Sequence, residues 1–199
     1  DDRILREGRA DFVAMARAML ADPEIANKAM EERFEDIRRC IYCNNCRLGH
    51  GKKGLIEKKG AGLSCTVNPE LLREKEFEIK PAAKPKKVMV IGGGLAGMEA
   101  ARVLKERGHN VCLYEKSDKL CGLWNTAALD PSKAHFATAT DYLSRGLQKA
   151  GVPTFIKREV TPQLVYKEKP DAVVLATGAT PKSLNIPGID RGNVVQAID

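Results

Sequence analysis

Apolar residues along the chain come in short bursts, divided by charged or glycine-rich stretches. The strongest burst is Val88-Met-Val-Ile91. It is short and rich in β-branched side chains, with no polar alternation, which predicts a strand buried on both faces of a parallel sheet. Gly92, Gly94 and Gly97 follow in G-x-G-x-x-G spacing, and the Ala-rich segment from Leu95 to Arg107 predicts a helix closed by Gly108. Val111-Cys-Leu-Tyr predicts a second strand, ending at Glu115. A helix is expected within Ala134 to Ala150, and further strands near Pro153 to Ile156 and Asp171 to Ala176. Between them the chain runs through a loop holding Gly122, Leu123 and Trp124, and after the last strand Ile186-Pro-Gly188 turns away. Near the start, Asp11-Phe-Val-Ala-Met-Ala16 reads as a strand, followed by Arg17 and a short helix beginning near Asp22-Pro23.

The succession strand, glycine turn, helix, strand, acid is a nucleotide-binding unit. The first glycine permits the tight turn, the second lets the backbone approach a pyrophosphate, and the third lets the helix pack close to the strand. The helix N-terminus then presents unpaired N–H groups to the anion. Glu115 lies 18 residues beyond Gly97, where an acid in this unit accepts from ribose hydroxyls. Ala176-Thr177-Gly178 closes the last strand with a glycine that allows a bound ligand to approach.

Cysteine usage adds a second chemistry. Cys40, Cys43 and Cys46 are spaced C-x2-C-x2-C, and Cys65 follows after 18 intervening residues. Such a set suits three corners of a cubane iron–sulfur cluster with a fourth ligand from a later loop. Structural zinc, with His50 as the nearby alternative to Cys65, and unliganded thiols remain alternatives. The stretch from Arg47 to Lys59 holds five basic residues against one acid, and either offsets thiolate charge or is simply solvated. Cys112 reads as a small strand hydrophobe, Cys121 is left unassigned, and Trp124 either stacks on a ligand ring or belongs to the core. Arg17 stands just past the first predicted strand, where phosphate ligands gather in parallel α/β folds, although a surface arginine satisfies the same pattern.

Charge and composition narrow the classes. The 199 residues carry a net charge of +7, but no basic stripe is interleaved with aromatics, so nucleic acid is not an expected partner. No signal-like or membrane-length apolar run stands out, and a cytoplasmic protein with no membrane partner is expected. That compartment disfavours disulfides. Residues 73–87 hold six Lys or Arg against three Glu, with Pro81 and Pro85, and read as a linker.

Taken in order, Gly8-Arg-Ala-Asp-Phe-Val-Ala-Met-Ala-Arg17, Asp22-Pro23, the cysteine set, Asn68-Pro69, the glycine turn, Glu115-Lys116 and Ala176-Thr177-Gly178 resemble the iron–sulfur flavoenzymes of the old-yellow-enzyme class. These include 2,4-dienoyl-CoA reductase, 2-enoate reductase and trimethylamine dehydrogenase. The resemblance implies an α/β architecture. Residues 1–39 would be the end of a (β/α)8 barrel that holds FMN and a small-molecule substrate, and 40–72 a 4Fe-4S module. Residues 88–199 would be a Rossmann-like domain for FAD or ADP, stopping midway. By the same likeness Arg17 would contact the FMN phosphate, and Cys40, Cys43, Cys46 and Cys65 would hold the cluster. The nucleotide would be met by Gly92, Gly94, Leu95, Ala96 and Gly97, by Glu115 and Lys116, and by Gly122, Leu123 and Trp124. Val160, Ala176, Thr177 and Gly178 would complete that site. The implied activity is electron relay from NAD(P)H through FAD and the cluster to FMN, for reduction of an activated C=C bond. An ADP-holding structural module, as in the amine dehydrogenases, or a zinc-stabilised nucleotide-binding piece are the alternatives, and a homo-oligomer is compatible with each. The sequence departs from the family in the longer Cys46–Cys65 spacing and in Cys121-Gly122, where Gly-Gly is usual. No residue here is expected to act on substrate.

Overall fold

A computed structural model describes residues 2–48, 63–182 and 184–195. The chain divides between Glu78 and Ile79 into two compact units. The first contains short helices α1 (Asp2–Arg6), α2 (Ala16–Ala21), α3 (Ile25–Met30) and α4 (Asn45–Leu48), with a 3-10 turn at Phe34–Asp36.

The expected strand at Asp11 to Ala16 does not form. Residues 11–15 are irregular, the helix expected near Asp22-Pro23 is α3, starting at Ile25, and a further helix, α2, runs from Ala16 to Ala21 just before it. A strand needs a ladder partner, and the first unit has none among its described residues. Ala16-Arg-Ala-Met-Leu-Ala21, by contrast, is made of strong helix formers, which decides the local contest.

Asp22 closes α2 and organises this unit. It is 1% exposed, and its carboxylate accepts from Lys28 Nζ at 2.7 Å, from the Arg38 N–H at 2.8 Å and from the Glu24 N–H at 3.1 Å. Burial alone would raise its pKa, but these donors and the Lys28 charge outweigh burial and hold the carboxyl below the usual range. Asn68, also buried, donates to the Leu20 carbonyl at 2.9 Å and so pins the second cysteine stretch to α2.

The second unit contains β1 (Lys87–Ile91), α5 (Leu95–Glu106), β2 (Asn110–Tyr114), α6 (Leu123–Ala127), α7 (Ala137–Lys149), β3 (Thr154–Phe155), α8 (Pro162–Glu168) and β4 (Ala172–Leu175). The four strands are parallel, in the order β3-β2-β1-β4, with Val90 opposite Leu113 on one side and Val174 on the other. Flanked on both sides, β1 buries Val88, Met89 and Val90 almost completely, which accounts for its unbroken apolar run. Helices α5 and α7 cover one face, where Met98, Ala101 and Leu147 join Val88, Val111 and Leu113 in the core. Burying a side chain such as Met98 or Leu113 contributes about 1.5–3 kcal/mol. Both helices end on a left-handed glycine, Gly108 and Gly151. The His109 N–H reaches the Leu104 carbonyl, and the Val152 N–H reaches the Leu147 carbonyl.

Two short helices escape the sequence pattern. The region of Leu123 and Trp124, expected to be loop, is α6, with Gly122 at its N-cap in the left-handed region. Helix α8 carries an N-cap that was legible: Thr161 Oγ1 accepts from the Leu164 N–H, and Pro162 occupies the first turn. Among the described residues no helix is long and apolar enough to cross a membrane.

Candidate functional sites

Strand order reverses between β1 and β4, so a crevice opens beyond their carboxyl ends, the usual ligand position in open α/β sheets. The glycine turn lies there, and each of its glycines has a separate physical reason. A Cβ on Gly97 would lie 1.9 Å from the Gly92 carbonyl oxygen, so α5 approaches the turn as closely as only glycine allows. Gly92 has φ +106, and its Cβ would meet the Ala176 carbonyl oxygen at 2.2 Å. A Cβ on Gly94, the N-cap of α5, would meet no atom of the described residues beyond its chain neighbours within 4 Å and would project into open space.

Glu115, 8% exposed, stands against this turn. Its Oε2 accepts from the Gly93 N–H at 2.6 Å, while Oε1 accepts from the Ser117 N–H and Oγ–H, both at 2.8 Å. Burial would raise its pKa, yet the Ser117 and Gly93 donors, with the Lys116 charge, outweigh burial and hold the carboxyl below the usual range. Gly93 and Ser117 were not singled out from sequence. A Cβ on Gly93 would lie 2.6 Å from a Leu120 methyl and 3.0 Å from the Glu115 Cβ, so the middle glycine is what admits the acid. The Gly93 carbonyl also accepts from the Cys121 N–H at 2.7 Å, fastening the following loop.

The other nucleotide candidates are placed unequally. Leu95 and Ala96 open α5, Lys116 is exposed beside Glu115, and Ala176, Thr177 and left-handed Gly178 follow β4 at the crevice. Gly122 and Leu123 are exposed at the start of α6. Trp124 packs against the core, with its ring stacked on Phe136 at 4.8 Å and its Nε1 donating to the Phe136 carbonyl, so it has an internal partner. Val160 is half-buried before α8. Cys112 is only partly buried, with burial pushing its thiol up, whereas Cys121 is fully enclosed against the Met98 sulfur at 3.3 Å. His109 Nδ1 accepts from the Lys86 N–H, which gives it a local structural task.

In the first unit, Cys40, Cys43, Cys46 and Cys65 line one cavity together with Arg17 and Thr66. Two of the intervening residues, Tyr42 (φ +51) and Asn44 (φ +57), are left-handed, which curls the C-x2-C-x2-C stretch around the cavity. Left-handed geometry costs a residue such as tyrosine roughly 1–2 kcal/mol, so the curl is imposed by its surroundings. The Tyr42 N–H points at Cys40 Sγ (3.4 Å), and Cys43 Sγ lies 3.1 Å from Thr66 Oγ1. Asn45 donates to Ser64 Oγ, tying the first cysteine stretch to the second. Among the described residues no three His, Cys, Asp or Glu side chains are gathered at one point for a single metal ion. His50 and most of the basic stretch after Arg47 lie outside the described residues.

Residues 86–199 match the family model described as pyridine nucleotide-disulphide oxidoreductase. Over its full length the chain is 43% identical to the NADH oxidase of Thermoanaerobacter brockii and spans 30% of that protein. It is 36% identical to the cinnamate reductase of Clostridium sporogenes, with 96% of this chain covering 28% of that one. Among solved structures, a 2-naphthoyl-CoA reductase in complex with 2-naphthoyl-CoA superposes with a TM-score of 0.86 at 34% identity, over 96% of this chain and 28% of that one. The chain thus spans under a third of the length of these relatives.

Proposed function

The chain belongs to the pyridine nucleotide-disulphide oxidoreductase family and to the iron–sulfur flavoenzymes of the old-yellow-enzyme class, and on that premise we propose that it is the electron-relay segment of an NAD(P)H-dependent reductase. The observation that carries this reading is the convergence of four cysteines, from two stretches far apart in sequence, on one cavity. A cubane cluster is held by its corners around a volume, whereas zinc is held by ligands meeting at a point. The distribution of thiols around a cavity supports the former. When bound, a 4Fe-4S cluster supplies one-electron storage and a flavin supplies exchange between hydride and single electrons.

The chain's own residues do the holding. Cys40, Cys43, Cys46 and Cys65 would ligate the cluster, and the Tyr42 N–H would donate to a ligating sulfur. At the crevice, Gly94 leaves room for a pyrophosphate at the N-terminus of α5, and Glu115 would accept from the adenosine ribose. Both contacts involve the adenosine diphosphate portion that FAD and ADP share. The names of the relatives, an NADH oxidase and a cinnamate reductase, support NADH as donor and an activated C=C bond as the acceptor.

Anaerobically purified protein is expected to contain about four iron and four sulfide per chain. Cys43 is exposed, so Cys43→Ser removes a ligand with little effect on packing and should abolish the brown chromophore. Stoichiometric zinc without iron in the parent protein refutes the reading.

A further inference from the structure

Among the described residues that line the cysteine cavity, the only basic side chain is Arg17. It reaches the cavity from α2, and two contacts fix it there. Its Nη1 donates to Asn44 Oδ1 at 2.9 Å, and its guanidinium lies over the Tyr42 ring, 5.4 Å from the centroid. Asn44 and Tyr42 are the two left-handed residues between the cysteines. The positive charge is therefore fastened to the same turns that carry the thiols.

Resting on the reading that these cysteines hold a cubane cluster, we infer that Arg17 is its electrostatic partner and raises its reduction potential. Four thiolates around an iron–sulfur core leave a net negative charge, and each electron accepted makes it more negative. A guanidinium stays protonated throughout and favours the more negative, reduced state. Arg17 and Cys43 are both exposed to solvent, so this attraction is partly screened, and its strength comes from Arg17 lining the same cavity as the thiols. The Asn44 and Tyr42 contacts explain how a long, flexible side chain is held at the cavity. They give Arg17 a task within this unit, separate from the FMN phosphate contact that family likeness implies.

The test is an anaerobic redox titration of the full-length, cluster-loaded protein, followed by visible absorbance and by electron paramagnetic resonance of the reduced cluster. Arg17→Gln, which removes the charge and keeps a shorter side chain with an NH2 donor, should move the midpoint to more negative potential. Arg17→Lys, which keeps the charge, should stay near the parent. Loss of the cluster from Arg17→Gln alone, with retention in Arg17→Lys, also supports a charge requirement. An unchanged midpoint in Arg17→Gln, or loss of the cluster from both variants, overturns the inference in favour of a packing role. A parent protein without iron overturns the cluster reading itself, and that failure is visible before any variant is made.

Discussion

Replacing Glu115 by glutamine changes few atoms, yet the hydrogen bonds around it make the substitution costly. The carboxylate is acceptor-only, and all three of its partners are donors: the Gly93 N–H, the Ser117 N–H and the Ser117 hydroxyl. A glutamine has one oxygen and one NH2. With its oxygen toward Ser117, its NH2 faces the buried Gly93 N–H; turned round, it leaves the Ser117 N–H without an acceptor. The Ser117 hydroxyl alone has an alternative, since it also bonds the Lys119 carbonyl at 2.7 Å. At least one charge-assisted bond is lost, worth about 1.5–3 kcal/mol, and the survivors lose their ionic component. Glu115→Gln should therefore destabilise the second unit by about 2–3 kcal/mol in urea unfolding. Affinity for ADP and FAD, measured by titration calorimetry, should drop tenfold or more, because one ribose bond of this class exceeds the 1.4 kcal/mol that a tenfold change requires.

The pH dependence supplies a separate check. The folded carboxyl titrates below its ordinary value, so its contribution to stability is fully present above the unfolded pKa of about 4.3 and is lost as pH falls through the lower folded value. Glu115→Gln should remove that acid-side loss. Parent-like stability and parent-like ADP affinity in the variant, across this pH range, refute the assignment of Glu115 to both turn and ribose.

Gly97→Ala and Gly94→Ala should part company. The first forces a Cβ onto the Gly92 carbonyl and should cost roughly 1–3 kcal/mol or more in chemical denaturation, and equal stability contradicts the close approach. The second meets open space, so unfolding should match the parent while ADP affinity falls, and unchanged affinity removes Gly94 from the site. Asp22→Asn sets an amide against three donors and leaves Lys28 unpaired in a mostly buried position, which should cost about 3 kcal/mol or more in thermal or urea unfolding of the first unit. Asp22 titrates low, so its contribution is lost only as pH falls below about 3.9, and that acid-side loss should be missing from the variant.

Much of the second unit was legible because its local and long-range signals agree. The run Val88 to Ile91 is apolar throughout because it lies between two strands, and Gly108 ends α5 where the helix formers stop. Asp11 to Ala16 misled because an apolar run shows only that a segment is able to be buried, while a strand also needs a ladder. The helix-forming character of Ala16 to Ala21 was the stronger local signal. Helix α6 is a single short turn after a left-handed glycine, and its apolar content belongs to packing against Phe136, a contact twelve residues away that periodicity does not register. The buried roles of Asp22 and Asn68 were likewise out of reach. Both look like turn residues, and only the partners Arg38 and Leu20 make them structural centres.

The glycine turn shows where a motif speaks of fold and where it speaks of a ligand. Gly97 is required by the Gly92 carbonyl, Gly92 by the Ala176 carbonyl and its own positive φ, and Gly93 by Leu120 and Glu115. Those three would be glycines in this arrangement whether or not anything ever bound. Gly94 differs. Its φ of −70 and ψ of 176 are extended backbone open to any residue, and among the described residues no atom beyond its chain neighbours lies within 4 Å of its missing Cβ. The fold gives no reason for a glycine there, and glycine at a helix N-cap is no better than the serine or asparagine that would also cap the N–H groups. What the missing side chain leaves is access from solvent to the amino end of α5, beside a carboxylate and a loop from β4. A group carrying negative charge and hydroxyls fits that access, which is why the contrast between Gly94 and Gly97 tests the nucleotide site without relying on the motif as a whole.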